Sequence, residues 1–425
     1  MAGGLTALYS LEPEPKHQKG QNHMSSELNW MFSTMPRLVA EAGNGGDVAQ
    51  VRRAFDRFLD KLRAASELID RPGMPADAIS RADGFRNILI TLHFAMDRVL
   101  GEASPHAPAL GQVWPVHLFD WGGASPDSAY RSMAVTGGIT YRITARFGNA
   151  PSTSLQFFDG QDICLTLTPD QFAQTAEGAE VHVGGPPRDG AWFPLPDGVT
   201  SALLREFFAD WETAERSQIE VEALGVSADN WPQMSPDRVA HELDAIGEWV
   251  ELTARFWADL LTSGYDAQPN GFTEYLIRDQ GVPAIAWGYF NVPAGHAWIM
   301  EMPAPDTPFW SVQPGTIWWR TLDFVNRHSS LNNAQATIDE DGFFRAVFSH
   351  EDPGIANWID LQGIERGAAL IRVALPPASL IAPQGRLVPI GEVQQALPKT
   401  ARIDPAERER LIGERRRQMR RLLLR

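Results

Sequence analysis

The sequence predicts a mainly β protein of the α+β class, built from two antiparallel β-sandwich or jelly-roll-like units with bridging and flanking helices. After Pro105 the spacing of apolar residues changes from the helical period of 3.6 to the strand period of two. Asp159–Gly160 separates two strand-like runs, which is a strong hairpin signal. These strands follow one another without the helical crossovers of a Rossmann sheet. A chain of 425 residues is long enough for two such units.

Helices are predicted ahead of the first β unit. Residues 1–46 are expected to be a flexible leader, because they end in the glycine-rich segment at 43–46. Asp47 occupies the N-cap position of a helix, and a second apolar stripe predicts a helix from Ala82 to Leu100. Residues 47–104 are therefore expected to form a helical hairpin.

The first β unit is predicted over residues 105–199. Strand-like runs at 130–135 and 139–147 flank Thr136–Gly137–Gly138, which favours a tight hairpin turn. Together with the runs on either side of Asp159–Gly160, they predict a meander of consecutive antiparallel strands. Residues 200–265 are then predicted to hold two bridging amphipathic helices, at 200–222 and 236–262.

The second β unit, with a candidate ligand pocket, is predicted over residues 266–400. Its strand-like runs are at 283–290, 296–302, 309–313, 334–338, 343–350 and 368–373. Residues 401–425 are predicted to form an arginine-rich C-terminal helix, with eight arginines from Arg408 onward. This helix is interpreted as a solvated helix on an acidic body, and an anion-binding arm is the alternative.

Composition excludes several classes of function. The formal net charge of −16 argues against a nucleic-acid partner, which would require a basic face. Cys164 is the single cysteine, so no internal disulfide forms, and a small buried side chain is favoured over a catalytic thiol. The first 25 residues lack the pattern of a signal peptide, and no apolar run is long enough for a membrane span. A cytoplasmic location is the expectation.

Common catalytic and cofactor motifs are absent from the sequence. It contains no GxxxxGK[ST], GxGxxG, GxSxG, HExxH or CxxC pattern, which disfavours nucleotide hydrolysis, dinucleotide-dependent redox chemistry and cysteine-ligated zinc. Asp339–Gly342 has a D-x-D-G pattern, but the glutamate that closes a calcium loop is missing. No cofactor and no metal site are predicted.

The candidate site lies in two polar loops of the second β unit. His328 stands in a polar segment with Arg327, Asn332 and Asn333, where an imidazole could act as acid or base and the amides could bind substrate oxygens. The alternative is a loop whose side chains bond its own backbone.

The second polar loop follows the run that ends at His350. Asp352 could orient the imidazole of His350 for acid–base catalysis, while Asn357 and Trp358 would bind substrate. The Asp352–Pro353–Gly354 sequence is also typical of a turn without chemistry.

Tryptophans suggest what such a site would bind. Trp318, Trp319 and Trp358, three of the 14 tryptophans, lie near these loops and could line an apolar cavity, although single tryptophans are more often core residues. The leading hypothesis is binding, with or without transformation, of a lipid, steroid or terpenoid-like molecule. A carbohydrate-binding module with stacked tryptophans is the first alternative. A non-catalytic homo-oligomeric assembly protein is the second.

Several segments resemble a known bacterial family, the domain of unknown function twelve-fourteen, which often occurs with the domain twelve fifty-four. The marker segments are SPDSAYRSMAVTGGITYRITARFG, PFWSVQPGTIWWRTLDF, RHSSLNN, DEDGFFRAVFSHEDPGIANWID and GAALIR, within residues 80–375. The family's DNPD-x-x-Y element is changed here, since Ala124–Ser125 replaces its leading Asp-Asn. The resemblance implies a largely β protein of two parts with a ligand cavity. It does not indicate an activity, because the function of the family is unknown.

Overall fold

The computed structural model describes residues 43–101, 104–112, 121–160, 162–176, 178–227, 233–277 and 282–423. Four β-sheets and a set of helices make up these residues, so the predicted α+β, mainly β class is confirmed. The leader predicted at 1–46 and the end of the arginine-rich tail lie largely outside the described residues. In the part that is described, no helix is both long and apolar enough to cross a membrane.

The first β unit is a sandwich of two sheets that share one apolar core. Its strands are β1 (Gly111–Gln112), β2 (Ser128–Ala134), β3 (Thr140–Arg146), β4 (Ser152–Asp159), β5 (Asp162–Leu167), β6 (Ala173–Thr175), β7 (Gly178–Val183), β8 (Trp192–Phe193), β9 (Val199–Phe207) and β10 (Gln218–Leu224). One sheet has the order β1-β2-β9-β4-β5 and the other β10-β3-β7-β6, with β8 pairing in parallel with β7. The Asp159–Gly160 hairpin between β4 and β5 is confirmed.

The helix predicted at 200–222 is wrong, because this segment contains strands β9 and β10. β9 is the central strand of its sheet and is buried on both faces. Ala202 and Leu204 face the sandwich core, whereas Leu203 faces the helices. A strand buried on both faces shows a continuous apolar run instead of alternation, and such a run resembles a buried helix.

The hairpin predicted at residues 136–138 is also wrong. Strand β2 pairs with β9, whereas β3 pairs with β10 and β7, so the chain crosses here from one sheet to the other. A Cβ on Gly137 would lie 2.1 Å from the carbonyl oxygen of Pro196. Glycine therefore permits a close backbone approach at this crossing, and the predicted meander is replaced by a sandwich connection.

The second β unit is a similar two-sheet sandwich. Its strands are β11 (Gly271–Phe272), β12 (Ala284–Asn291), β13 (His296–Pro303), β14 (Phe309–Thr316), β15 (Leu331–Asn332), β16 (Phe343–Ser349), β17 (Trp358–Asp360), β18 (Arg366–Ala374) and β19 (Gln384–Pro389). The sheet orders are β11-β12-β18-β14-β15 and β17-β16-β13-β19, antiparallel except for the β16–β17 pair. The strand predicted at 334–338 is wrong. The Asn332 carboxamide oxygen accepts bonds from the backbone N–H groups of Ala334 and Gln335, which turns the chain there.

Five α-helices occur in the described residues: α1 (Val48–Glu67), α2 (Ala78–Gly101), α3 (Pro236–Ala267), the single turn α4 (Val393–Ala396) and α5 (Pro405–Leu423). Asp47 caps α1 as predicted, by accepting a bond from Gln50 N–H. Helices α1 and α2 do not form an isolated hairpin as expected, because α3 packs against both of them. Lys61 of α1 bridges to Glu248 and Glu251 of α3.

These helices cover the outer faces of the sheets and form a central aromatic core with them. The core takes residues from α2 and α3, from the sheet that contains β9 and from the sheet that contains β12 and β18. Both β units therefore contribute to one apolar cluster.

Helix α5 is only partly the solvated helix expected from its arginines. Met419 and Leu422 pack in an apolar cluster with Phe208, Trp211 and Phe324, which belong to both β units. Two of its arginines, Arg408 and Arg415, are also buried. The seven-residue spacing of these arginines places both on the side of the helix that meets the body.

Close approach of α3 to the sheet gives a first prediction. A Cβ on Gly264 would lie 2.1 Å from the Tyr289 ring, so Gly264→Ala should destabilise the protein by about 1–3 kcal/mol despite the better helix propensity of alanine. Gly413 of α5 is the matched control, because its nearest neighbour is the flexible end of Arg417 at 3.7 Å. Gly413→Ala should stabilise by about 0.5–1 kcal/mol. Urea unfolding of both variants measures the two effects, and equal signs would contradict the packing argument.

Candidate functional site

Trp318 and Trp319 do not line a cavity, because both are buried in the central core. The indole N–H of Trp318 donates to the Ser80 carbonyl oxygen at 3.0 Å, and its ring covers Gly84 of α2. Trp319 adopts a left-handed backbone with φ of 54°, and its ring centroid lies 4.4 Å from that of Trp287. Neighbouring side chains therefore occupy the space in which the sequence predicted a tryptophan-lined cavity.

His328 is buried and held as a neutral imidazole. Its Nδ1 lies 2.5 Å from the Trp358 carbonyl oxygen, so Nδ1 carries the hydrogen and donates it. Burial, together with the positive charges of Arg415 and Arg408, lowers the pKa of His328 to about 3. An imidazole of this kind stays unprotonated near neutral pH and has no proton to give as a general acid.

His350 and Asp352 have separate partners. Nε2 of His350 lies 2.8 Å from the Val292 carbonyl oxygen. Asp352 accepts a bond from Gly354 N–H at 2.9 Å and another from Arg408 Nε at 2.8 Å. These contacts match the alternative that Asp352 belongs to a turn without chemistry. Arg408, which is a residue of α5, holds this turn against the helix.

The remaining predicted binding residues also bond within the chain. Asn333 donates to the Pro308 carbonyl oxygen, and Asn357 donates to the carbonyl oxygens of Thr337 and Arg345. Arg327 forms an ion pair with Asp360 at 2.7 Å. Trp358 is buried and donates its indole N–H to Ser349 Oγ. These contacts hold the two loops against other segments of the chain, so they do not match the alternative of a loop whose side chains bond its own backbone.

A group of buried polar side chains between the two β units was not predicted from the sequence. This polar seam consists of Asp127, Trp211 and Asn332. Asp127 is fully buried, and its Oδ1 accepts bonds from Asn332 Nδ2 at 2.6 Å and Trp211 Nε1 at 2.8 Å. Burial raises the pKa of Asp127, while these hydrogen bonds and the charges of Arg415 and Arg372 act in the opposite direction. The only signal for this seam was the SPDSAY segment, which served as a family marker without a role.

An open cleft of about 840 Å³ lies elsewhere, between the start of α2 and the segments at 316–326 and 362–364. At this cleft, Arg320 Nε donates to Asp83 Oδ1 at 2.7 Å, and both side chains are largely buried. The other lining residues are Ala78, Ile79, Ala82, Arg86, Thr316, Thr321, Leu322, Asp323, Phe324, Val325, Asn326, Gln362 and Ile364. A second cavity, beside Tyr130, has a volume of about 30 Å³, which is room for about one water molecule.

The cleft does not include the predicted histidines or tryptophans. Its signal in the sequence was weak, because Asp83 and Arg320 are 237 residues apart and each stands within an ordinary helix or loop pattern. Among the described residues, no group of three or more histidine, cysteine, aspartate or glutamate side chains is placed to hold a metal ion.

No protein-family model matches the chain, and no curated protein matches it. Among solved structures, an uncharacterized protein from Burkholderia cenocepacia is similar with a TM-score of 0.72 and 24% identity, over 81% of this chain and 99% of that one. A protein from Vibrio parahaemolyticus matches with a TM-score of 0.42 and 10% identity, over 79% of this chain and all of that one. The first of these likenesses supports the mainly β fold described above.

Proposed function

We propose that the protein binds a small molecule in the cleft between α2 and the 316–326 segment. The observation that carries this proposal is the size and lining of the cleft. Its volume of about 840 Å³ falls in the range of ordinary ligand sites, and a few charged groups stand among apolar ones. The cleft therefore suits a ligand with an apolar body and at least one polar group.

The lining supports the same class of ligand. Ile79 is 56% exposed at the first turn of α2 and offers an apolar surface, and Leu322 and Val325 face it from the other segment. The Asp83–Arg320 pair gives the cleft a charged group of each sign, so the lining does not demand a strongly charged ligand. The proposal keeps the apolar or aromatic ligand class expected from the sequence but places the ligand at a different site.

Binding is proposed in preference to catalysis. The imidazole of His328 is neutral and bonded to Trp358, while Asp352 is bonded to Arg408. Neither group faces the cleft. The buried tryptophans also offer no open ring faces for sugar stacking or for an interface with another chain. A cytoplasmic location is part of this proposal. It is supported by the single cysteine of the sequence, because a lone cysteine forms no internal disulfide.

A tryptophan placed in the cleft should remove binding. Ile79→Trp introduces a large ring into the cleft lining and narrows the space for a ligand, whereas Leu89→Trp places the same side chain on α2 at a site that is 67% exposed and outside the cleft lining. Thermal-shift screening of apolar metabolites should find ligands that raise the Tm of the wild type and of Leu89→Trp. At about 100 times its Kd, such a ligand adds about 2.7 kcal/mol.

The Ile79→Trp variant should show no shift with the same ligands. An equal shift in both variants would place the ligand elsewhere and would contradict the proposal.

A further inference from the structure

The small cavity beside Tyr130 lies where strand β2 of the first β unit meets the last turn of α5. Arg131 of β2, Arg216 from the segment between β9 and β10, and Leu422 of α5 contribute to its lining. Phe324 is the one described residue that lines both this cavity and the cleft of the proposed function. The two sites are therefore distinct, and an inference about the small cavity does not rest on the cleft.

Two guanidinium groups reach this cavity, but one buried carboxylate serves them. Glu206 is fully buried, and its Oε2 lies 2.9 Å from Arg131 Nη2. The other oxygen, Oε1, accepts a bond from Ser217 N–H at 2.9 Å. Within the part of the chain that is described, Arg216 forms neither an ion pair nor a hydrogen bond. The positive charge of Arg216 is thus left without a partner of its own.

Arg216 is also partly withdrawn from water. Burial and the positive charge of Arg131 lower the pKa of Arg216, whereas the negative charge of Glu206 acts in the opposite direction. The two guanidinium groups are therefore close enough to repel each other. Arginine does not escape such a cost by losing its proton, because its ordinary pKa is too high. The group of Arg131, Arg216 and Glu206 consequently carries one excess positive charge.

The lining of the cavity supplies hydrogen-bond donors to match this charge. Arg131 Nε, Arg216 Nε and Ser128 Oγ are buried and have no hydrogen-bond partner among the described residues, and all three residues line the cavity. The guanidinium nitrogens can only donate, and the hydroxyl can donate. No aspartate or glutamate occurs among the described lining residues. The cavity therefore offers donors and positive charge without an opposing carboxylate.

A water molecule alone does not satisfy this site. Water can accept bonds from the three donors, but it cannot balance the excess charge. Pro126, Phe324 and Leu422 give the cavity apolar walls, which lower the local dielectric and strengthen the repulsion between the two arginines. Buried charges in proteins are generally paired for this reason. An anion supplies both the acceptor and the missing charge.

We infer that the small cavity binds a small inorganic anion of about the size of chloride. Its volume of about 30 Å³ suits one particle close to the size of a water molecule. Chloride is close to this size, whereas phosphate is too large. Gln112 is exposed and belongs to the lining, so the ion can enter from solvent at that side. The bound anion would accept bonds from Ser128 and from both guanidinium groups.

Thermal unfolding in two salts tests this site. Sodium chloride and sodium gluconate at equal ionic strength screen surface charges equally, but gluconate is too large for the cavity. The Tm of the wild type should be higher in chloride by about 2 °C. The NMR signal of chloride should also broaden when the protein is added, because the bound ion lies in an asymmetric field and exchanges with free chloride.

A matched pair of arginine variants assigns the effect to the cavity. Arg216→Gln removes the uncompensated charge, so its Tm should be the same in both salts and it should not broaden the chloride signal. In gluconate this variant should be at least as stable as the wild type, because its repulsion with Arg131 is lost. Arg188→Gln removes the same charge from an exposed site outside the lining and should behave as the wild type does.

Ser128→Ala is a milder variant that keeps both arginines. Loss of the hydroxyl should raise the chloride concentration at half-maximal stabilisation by about fivefold. Circular dichroism confirms that each variant folds.

Three results would overturn the inference. They are equal wild-type Tm values in the two salts, a chloride effect that persists in folded Arg216→Gln, and stabilisation by phosphate without any by chloride. If Arg216→Gln does not fold, an unchanged chloride midpoint in Ser128→Ala would overturn it instead.

Discussion

Replacing Arg415 with methionine should lower the free energy of unfolding by about 3–5 kcal/mol. The Arg415 guanidinium is buried and donates to the carbonyl oxygens of Phe324 and Ser330 and to the Ser330 hydroxyl. It also lies 4.6 Å from the centroid of the Trp211 ring. Methionine fills the space but removes the hydrogen bonds that Arg415 donates to these three buried acceptors.

The charge on Arg415 persists in the folded protein. Burial lowers its pKa to about 10, and the negative charges of Asp127 and Asp323 act in the opposite direction. At neutral pH the guanidinium is therefore protonated, and its loss removes an opposite charge near Asp127. The stability loss should thus exceed that of a neutral hydrogen bond.

Arg417 provides the control on the same helix. Its side chain is 71% exposed and lies 3.9 Å from Glu414, so Arg417→Met should change stability by less than about 0.5 kcal/mol. Urea unfolding, followed by tryptophan fluorescence, measures both variants. Similar stabilities for the two would show that α5 does not anchor the β units.

Acidification from pH 7 to pH 5 should remove about 2 kcal/mol of stability through His328 alone. Its folded pKa of about 3 is below the ordinary value of 6.5, so the unfolded chain binds more protons than the folded one between these values. The stabilisation is therefore complete above pH 6.5 and is lost as the pH falls towards 3. Over that whole window the loss would reach roughly 4–5 kcal/mol.

His328→Asn isolates this effect. The asparagine amide can still donate to the Trp358 carbonyl oxygen, but it does not titrate. Unfolding free energies at pH 7, 6 and 5 should fall more steeply for the wild type than for the variant. Parallel curves would mean that His328 is not buried as described, since other titrating groups contribute equally to both proteins.

Local signals in the sequence predicted local structure well. Asp47 was identified as a helix cap and Asp159–Gly160 as a hairpin turn because both depend on the conformation of a few adjacent residues. The mainly β class followed from the same short-range evidence. Helix α3 was also predicted, since Ser235–Pro236 gives it a clear start.

Features set by distant contacts were not predictable in this way. Strand β9 was mistaken for a helix because its second buried face is created by α2 and α3, which are far away in the sequence. The polar segment around Asn332 suggested a substrate site, whereas its amide bonds Asp127, 205 residues earlier. A polar side chain that serves a ligand and one that serves the fold have the same local pattern, and only the tertiary structure separates them.

The central core also couples the two β units thermodynamically. Each unit has an outer sheet face that is kept from water by the same helices, with Leu203 from one unit and Leu370 from the other in a single cluster. Loss of either unit would expose the helices and, with them, the sheet face of its neighbour. We therefore expect the two sandwiches to unfold as one cooperative unit, although each has a core of its own.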